Sequence, residues 1–292
     1  MQTWIRRTAV IAGAVLAFAP VARADDPAFI TIPYTASGPE QLMDIYMPKD
    51  AVGNLPVVVY IHGGGWEAGN RSNQLGPADH FNKLGYVFCS IDYRLSDVAK
   101  YPAQIQDSKC AIRFLRANGA KYHIDAKRIG VWGDSAGGHL VALLGLTPKV
   151  KRLAGDGGWK KESSAVQAVV DWYGPTDIRP VDKSTIVNPD GLRMVKKFLG
   201  DADNLKLASD ASPITFVSKN APPFLIMHGG KDPLVPVAQS QKLYDALKAA
   251  GTDVALKIIP DAGHGGPEFM QPDNVAMIDA FLERTLKPNV KP

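Results

Sequence analysis

The sequence predicts an α/β domain with a mostly parallel central sheet and helices on both of its faces. Short apolar runs alternate with helix-compatible segments along the 292 residues, which is typical of parallel α/β folds. Several runs are continuously apolar and rich in valine, as expected of strands buried on both faces. No repeat, low-complexity tract or linker divides the chain, so we expect one domain over residues 25–292.

The strands and helices are predicted in chain order. Segments 29–34 and 41–46 are expected to form an antiparallel edge of the sheet. Parallel strands are predicted near 56–61, 87–91, 128–132, 168–172, 223–228 and 254–259. Helices are predicted near 73–84, 103–118, 136–144, 237–250 and 273–286. In such sheets the functional side chains gather at the carboxyl ends of the strands.

Two segments look like additions to this core. The first, 147–164, is rich in glycine and lysine, and the second, 179–220, contains a short helix predicted near 191–199. We expect the second segment to form a small cap.

The most informative motif is Gly133-Asp-Ser-Ala-Gly137, which follows the strand near 128–132 and precedes an apolar helix. A serine between small residues at a sharp strand-to-helix turn is typical of a nucleophile elbow. The helix N-terminus then supplies free amides and partial positive charge where an oxyanion would form. Ser135 is the predicted nucleophile.

A second glycine-rich loop supports the same chemistry. The apolar strand LPVVVYI over 55–61 runs into His62-Gly-Gly-Gly-Trp66. Consecutive glycines let backbone N–H groups approach a substrate oxygen closely. The amides of Gly64, Gly65 and Ala136 are therefore the predicted oxyanion donors.

With these motifs the chain resembles the α/β-hydrolases, and within them the BD-FAE-like and hormone-sensitive-lipase-like esterases. The resemblance covers roughly residues 30–286. Its motifs are His62-Gly-Gly-Gly-Trp66, Asp92-Tyr-Arg-Leu95, Gly133-Asp-Ser-Ala-Gly-Gly138, His228-Gly-Gly-Lys-Asp-Pro233 and Gly263-His-Gly265. It implies a serine, acid and histidine triad in that chain order.

A serine needs a base to accept its proton, and the base needs a carboxylate to orient it. His264 lies in a glycine-flanked loop after the last strand and is the predicted base, whereas His228 ends a strand and is expected to pack beside the acid loop. Asp232 is the predicted acid. Asp177 is an alternative acid after the preceding strand, and Asp261 could bond within the His264 loop.

Other polar residues have structural interpretations. His62 is expected to hold the glycine loop, and His80, His123 and His139 to be structural or solvated. The Asp92-Tyr-Arg-Leu95 motif is expected to make a buried ion pair through Asp92 or Arg94, with substrate contact as the alternative. No metal-binding spacing or cofactor motif is present, so neither a metal nor a cofactor is expected.

The N-terminus predicts export to the periplasm or the extracellular space. Arg6 and Arg7 precede an apolar run over 8–21, and Ala22-Arg-Ala24 has the form of a signal-peptidase site. Residues 1–24 are therefore a predicted signal peptide, with a retained anchor as the alternative. Removing its three arginines reduces the formal charge of +4 to about +1, which argues against a basic nucleic-acid surface. No membrane span is expected in the mature chain, and the oligomeric state stays open.

Two questions stay open in the sequence. Cys89 and Cys110, on an adjacent strand and helix, could form a disulfide or remain buried thiols. Trp66, Trp159 and Tyr173 are candidates to line the substrate pocket or to belong to the core.

The expected function is secreted ester hydrolysis through an acyl-enzyme. A small cap favours soluble esters over dispersed triglyceride, and the resemblance implies acetyl or feruloyl esters of plant polysaccharide. A serine peptidase, an arylformamidase and a non-catalytic binding protein on the same scaffold are the alternatives.

Overall fold

The computed structural model describes residues 29–35, 41–72, 74–179, 188–201 and 203–287. Within them lie eight strands: β1 (Phe29–Pro33), β2 (Leu42–Tyr46), β3 (Leu55–Ile61), β4 (Val87–Ile91), β5 (Ile124–Asp134), β6 (Ala168–Trp172), β7 (Phe224–Gly229) and β8 (Val254–Ile259). The predicted signal peptide and its alternative anchor lie outside the described residues.

Seven helices accompany the strands in the described part of the chain. They are α1 (Leu75–Lys83), α2 (Ala103–Asn118), α3 (Ala136–Leu146), α4 (Pro189–Leu199), α5 (Leu205–Asp210), α6 (Ala238–Ala249) and α7 (Pro272–Leu286). Short 3-10 turns occur at Gly119–Tyr122, Lys151–Leu153, Pro213–Phe216 and Pro267–Met270. None of the described helices combines the length and the apolar character that crossing a bilayer requires.

All eight strands form one sheet in the order β1-β2-β4-β3-β5-β6-β7-β8. β1 and β2 pair antiparallel, β2 joins β4 antiparallel, and every other pair is parallel. Parallel neighbours bring their carboxyl ends to one edge, where the loops after β3, β5, β7 and β8 meet. The predicted α/β-hydrolase fold is confirmed.

Apolar side chains cover both faces of the sheet, as a parallel sheet requires. One face packs against residues of α2, α3 and α6, and this core extends to the cap through Val195, Phe198 and Leu199 of α4. The opposite face packs against α1 and α7. The sheet therefore carries the site at the ends of its strands, and α4 of the cap packs against the same core.

Two elements differ from their prediction. β5 begins at Ile124, four residues before the predicted strand, because Ile124 pairs with Leu55 across a register shift. α5 was not predicted; it is six residues long and is capped at its N-terminus by Asn204, whose side chain accepts a hydrogen bond from the Leu207 amide. Cys89 and Cys110 are buried free thiols, so the possible disulfide is not formed.

Candidate active site

Ser135 lies at a sharp turn between the end of β5 and the start of α3. Its φ is 53° and ψ is −118°, which is a strained region for a side chain other than glycine. Neither Gly133 nor Gly137 has room for a Cβ, because Gly133 faces the Gly137 backbone and Gly137 faces the carbonyl of Ile61. The Ser135 amide donates to Trp172 O at 2.8 Å, which fixes the turn against β6.

His264 and Asp232 complete a hydrogen-bonded chain from this serine. His264 Nε2 lies 2.8 Å from Ser135 Oγ, and His264 Nδ1 lies 2.7 Å from Asp232 Oδ2. An imidazole that donates from Nδ1 to a carboxylate keeps Nε2 free to accept the serine proton. The structure therefore brings the predicted nucleophile, base and acid together in a geometry suited to activating the serine.

The Asp232 carboxylate is fully buried and held by several donors. The Leu234 and Val235 amides donate to Oδ1 at 2.8 and 2.9 Å. Burial acts to raise the pKa of Asp232, but hydrogen bonds from His228, His264 and the backbone outweigh it and hold the pKa well below its ordinary value. Asp232 is thus ionised at neutral pH and stabilises positive charge on His264.

His228 lies beside the acid, as predicted, and not beside the serine. Its Nε2–H donates to Val235 O at 2.9 Å and lies 3.3 Å from Asp232 Oδ2, while Nδ1 accepts from the Ser240 hydroxyl at 2.6 Å. With both nitrogens occupied and the ring fully buried, His228 orients the acid loop.

The alternative acids are occupied elsewhere. Buried Asp177 forms ion pairs with Arg179 and Lys242, each at 2.7 Å. Asp261 is exposed and pairs with Lys231 at 2.7 Å.

The glycine loop after β3 is fastened by polar side chains. His62 Nδ1–H donates to Gly63 O at 2.8 Å, and its ring stacks on Tyr93 at 4.3 Å. Burial lowers the pKa of His62, so the neutral ring holds the loop, as predicted. Gly64 O accepts from the Glu67 and Ala68 amides at 3.1 and 3.0 Å, which forms a tight turn.

Asp134, the residue before the nucleophile, also holds this loop. Its Oδ1 accepts from the Gly63 amide at 3.0 Å and from the Tyr60 hydroxyl at 2.5 Å. One carboxylate thus joins the elbow to the glycine loop. Sequence reasoning missed this role because the residue between Gly133 and Ser135 can be of any type in the motif.

The amides of Gly65 and Ala136 lie at a cleft beside Ser135. Within the described residues, no carbonyl accepts a hydrogen bond from either amide. Gly64, the third predicted donor, is not among the residues that line the cleft; its φ of +102° shapes the turn next to Gly65, and its role as an oxyanion donor stays a prediction. Free amides beside a nucleophile can bind a developing oxyanion.

The cleft is narrow and mainly apolar. Its walls come from the glycine loop, the elbow, the loop after β6, the acid loop and α4. The lining residues are Gly65, Trp66, Ser135, Ala136, Pro175, Gly191, Met194, Val195, Leu234 and Val235. It therefore suits a small apolar group more than a charged one.

Trp66 lines this cleft, as one sequence interpretation predicted. Its ring stacks on Phe198 at 4.3 Å, and its Nε1–H donates to His139 Nδ1 at 3.3 Å. His139 in turn donates from Nε2 to Ala211 O at 2.7 Å. Burial lowers the pKa of His139 to about 4, so at neutral pH the uncharged ring can accept from the indole.

The other two aromatic candidates lie elsewhere. Trp159 does not reach the cleft: its Nε1–H donates to Tyr34 O at 3.0 Å and its ring meets Phe114 edge-on. The pocket interpretation of Trp159 was therefore wrong, since the residue fastens the 147–164 segment to the end of β1. Tyr173 is buried, and its ring centroid lies 4.8 Å from that of His264, so it packs against the base.

The Asp92-Tyr-Arg-Leu95 motif makes two ion pairs, with different partners. Asp92 Oδ2 lies 2.6 Å from Arg71 Nη1. Arg94 donates to both oxygens of buried Asp107, at 2.8 and 2.7 Å. The structural interpretation is confirmed. In the part of the chain that the structure describes, no cluster of three or more His, Cys, Asp or Glu side chains could hold a metal ion.

Several known proteins are similar to this chain in sequence. The BD-FAE family model matches residues 43–247. Esterase LipQ of Mycobacterium tuberculosis is 36% identical over 237 residues, which cover 80% of this chain and 56% of that protein. The chain spans little more than half the length of the first curated relatives that it matches.

Solved structures resemble the fold over nearly its full extent. A truncated carbohydrate esterase from gut microbiota superposes with a TM-score of 0.81 at 32% identity, covering 90% of this chain and 99% of that one. Esterase Est2 of Thermogutta terrifontis gives a TM-score of 0.74 at 26% identity, covering 91% and 96%.

Proposed function

The chain belongs to the BD-FAE family of α/β-hydrolases, and from this premise we propose that it is a serine carboxylic ester hydrolase. The observation that carries the proposal is the continuous hydrogen-bonded chain from Ser135 through His264 to Asp232, with distances of 2.8 and 2.7 Å. An apolar cleft that begins at the same serine supplies a place for the substrate.

The first step is acylation. His264 Nε2 accepts the Ser135 proton as Oγ attacks the ester carbonyl carbon, and the buried Asp232 carboxylate stabilises the imidazolium that forms. The carbonyl oxygen becomes an oxyanion and accepts hydrogen bonds from the Gly65 and Ala136 amides. His264 then protonates the leaving alkoxide, and the alcohol departs.

The second step is deacylation. Water occupies the space of the departed alcohol, and His264 accepts a proton from it as it attacks the acyl-enzyme carbonyl. The same amides stabilise the second oxyanion. Collapse of this intermediate releases the carboxylic acid, and His264 returns the proton to Ser135 Oγ.

A short acyl group on a carbohydrate is the substrate class that we favour. The apolar cleft has room for a small acyl group, and one structural neighbour is described as a carbohydrate esterase. Of the two acyl groups that the resemblance implies, acetyl on plant polysaccharide is therefore the proposed substrate, and the larger feruloyl group is the alternative. The N-terminal pattern supports export; mature protein that begins at Asp25 would agree with this, whereas retention of Met1 in exported protein would contradict cleavage.

Ser135→Ala tests the proposed chemistry. We expect kcat/KM on p-nitrophenyl acetate to fall by about 10⁴-fold or more, with an unchanged melting temperature. Ser72→Ala is the matched control, because Ser72 is exposed on a loop and should keep wild-type activity. Undiminished turnover by Ser135→Ala would overturn the assignment.

The wild type and the Ser135→Ala variant also distinguish the alternative functions. A fluorophosphonate probe should label the wild type and leave Ser135→Ala unlabelled; an unlabelled wild type would favour a binding protein. Acetylated xylan and methyl ferulate, assayed beside a peptide and N-formylkynurenine, distinguish an esterase from a peptidase or an arylformamidase.

A further inference from the structure

The geometry of the site indicates which side of the ester, acyl or alcohol, occupies the apolar cleft. His264 must protonate the leaving oxygen, so the alcohol side of the substrate faces His264. His264 does not border the cleft, whereas the oxyanion-binding residues Gly65 and Ala136 do. The group seated in the cleft is therefore the acyl chain, and this conclusion rests on the proposed esterase function.

Met194 of α4 lies where this chain must extend. A Cβ placed on Gly65 would lie 2.6 Å from Met194 Sδ and 3.1 Å from its Cγ, so the thioether packs directly on the oxyanion loop. Methionine is flexible and fits irregular apolar spaces. The scaffold residues of the cleft come from the glycine loop, the elbow, the loop after β6 and the acid loop. Met194 makes none of the hydrogen bonds that hold the triad, so it can change without moving the triad.

α4 is fixed over the loop by charge and by aromatic stacking. Arg193 donates to both oxygens of Glu67, at 3.0 and 2.6 Å, and Lys197 lies 3.0 Å from the same carboxylate. Phe198 stacks on Trp66. These contacts are adjacent to Met194 along α4, so its side chain is held in place over Gly65.

We infer that Met194 is the residue of this chain that sets the maximum length of the acyl group. It closes the cleft above Gly65, so acetyl fits beneath it while longer chains meet the thioether. An extra methylene in a fitted apolar pocket changes the specificity constant by about 10-fold or more. Shortening Met194 therefore opens room for additional methylenes without altering the reacting atoms.

The test compares kcat/KM across p-nitrophenyl acetate, butyrate, hexanoate and octanoate. For Met194→Ala we expect the hexanoate-to-acetate ratio to rise by about 10-fold. Met194→Phe should lower that ratio. Leu192→Ala is the matched control, because Leu192 is exposed on the same helix and does not border the cleft; its profile should follow the wild type.

The outcomes separate this inference from the function on which it rests. Failure of the wild type to hydrolyse any of the four esters would overturn the proposed function. Wild-type hydrolysis of acetate, with equal chain-length profiles for folded Met194→Ala, Met194→Phe and Leu192→Ala, would overturn the role of Met194 alone. Melting temperatures establish that each variant is folded, and the Met194→Phe variant keeps the test decisive if the alanine variant does not fold.

Discussion

The two walls of the active site are held by different kinds of interaction. Ser135, Asp232 and His264 follow strands of the buried sheet, and Asp232 is fully buried among hydrogen-bond donors. α4, in contrast, joins the core through Phe198 on one side, and its other contacts to the glycine loop are ion pairs whose partners are partly exposed: the side chain of Arg193 is 54% accessible. Exposed ion pairs contribute little free energy each, about 1 kcal/mol or less.

This difference suggests that separate parts of the site determine the rate of catalysis and the choice of ester. A buried carboxylate with fixed donors gives a precise geometry, and catalysis depends on such precision. A surface helix can shift or change its side chains without disturbing the strand ends. We therefore expect changes at the sheet to alter turnover, and changes at α4 to alter mainly which ester is turned over.

The strongest test of this separation is Asp232→Asn. The amide cannot stabilise the imidazolium or fix the productive tautomer of His264, so kcat should fall by about 10⁴-fold, with little change in the acyl-length profile. The control is Asp261→Asn, because Asp261 is exposed and only pairs with Lys231. Comparable losses for both variants would show that the neighbouring loop, and not the buried carboxylate, carries the effect.

Asp134→Ala should have a smaller effect on turnover. The change removes the acceptor of the Gly63 amide and the Tyr60 hydroxyl, so the oxyanion loop loses its link to the elbow. We expect kcat to fall by about 10²-fold, because small displacements of catalytic groups cost that much, while KM changes less. Asp134→Asn retains an acceptor oxygen and should restore most of the rate; equal losses for the two variants would contradict this positioning role.

Glu67→Gln should have the smallest effect and should act on selection. We expect unfolding free energy to fall by less than about 1 kcal/mol and the hexanoate-to-acetate ratio to rise severalfold as α4 loosens. High NaCl should produce the same trend in the wild type but not in the variant. Lys83→Gln, which breaks an exposed pair with Asp79, is the control and should leave the ratio unchanged.

The pH dependence of the contact between Glu67 and α4 follows from the pKa of Glu67. Hydrogen bonds from Arg193 and Lys197 lower the pKa of Glu67 from 4.5 to about 2. A lowered carboxyl pKa means that the contact stabilises the folded state fully above pH 4.5 and loses this contribution as pH falls through 2. The wild-type acyl-length profile should therefore stay constant from mildly acidic to neutral pH. A profile that broadens in that interval would contradict the proposed effect of the Glu67 ion pairs on acyl selection.

Most of the fold follows from local sequence signals. The predicted bounds of α2 agree with the structure, because an apolar helical pattern with Pro102 before it marks the helix locally. β5 was predicted too short because the polar residues Asp125 and Lys127 interrupt its apolar pattern, and only the pairing of Ile124 with Leu55 reveals this part as strand. Contacts between residues far apart in the chain leave no comparable local pattern in the sequence.

The residues of the site likewise fall into those that local motifs predict and those whose roles depend on distant contacts. Ser135, Asp232 and His264 stand in short motifs after strands, so their meeting could be predicted from the order of the elements. Met194 and Trp159 could not be assigned, because their roles depend on where surface segments lie. Trp159 bonds to Tyr34, 125 residues away, and nothing in the glycine-rich sequence around it indicates that partner.

The two free thiols bear on how this protein can be prepared. Cys89 and Cys110 are buried, and burial raises the pKa of both, for Cys110 to about 11, so each is a protonated thiol of low reactivity at neutral pH. The native state contains no covalent cross-link that an oxidising compartment would have to supply. We therefore expect that a chain beginning at Asp25, after the predicted signal peptide, can be produced in a reducing cytoplasm, with thiol reductants in the buffer throughout purification and assay.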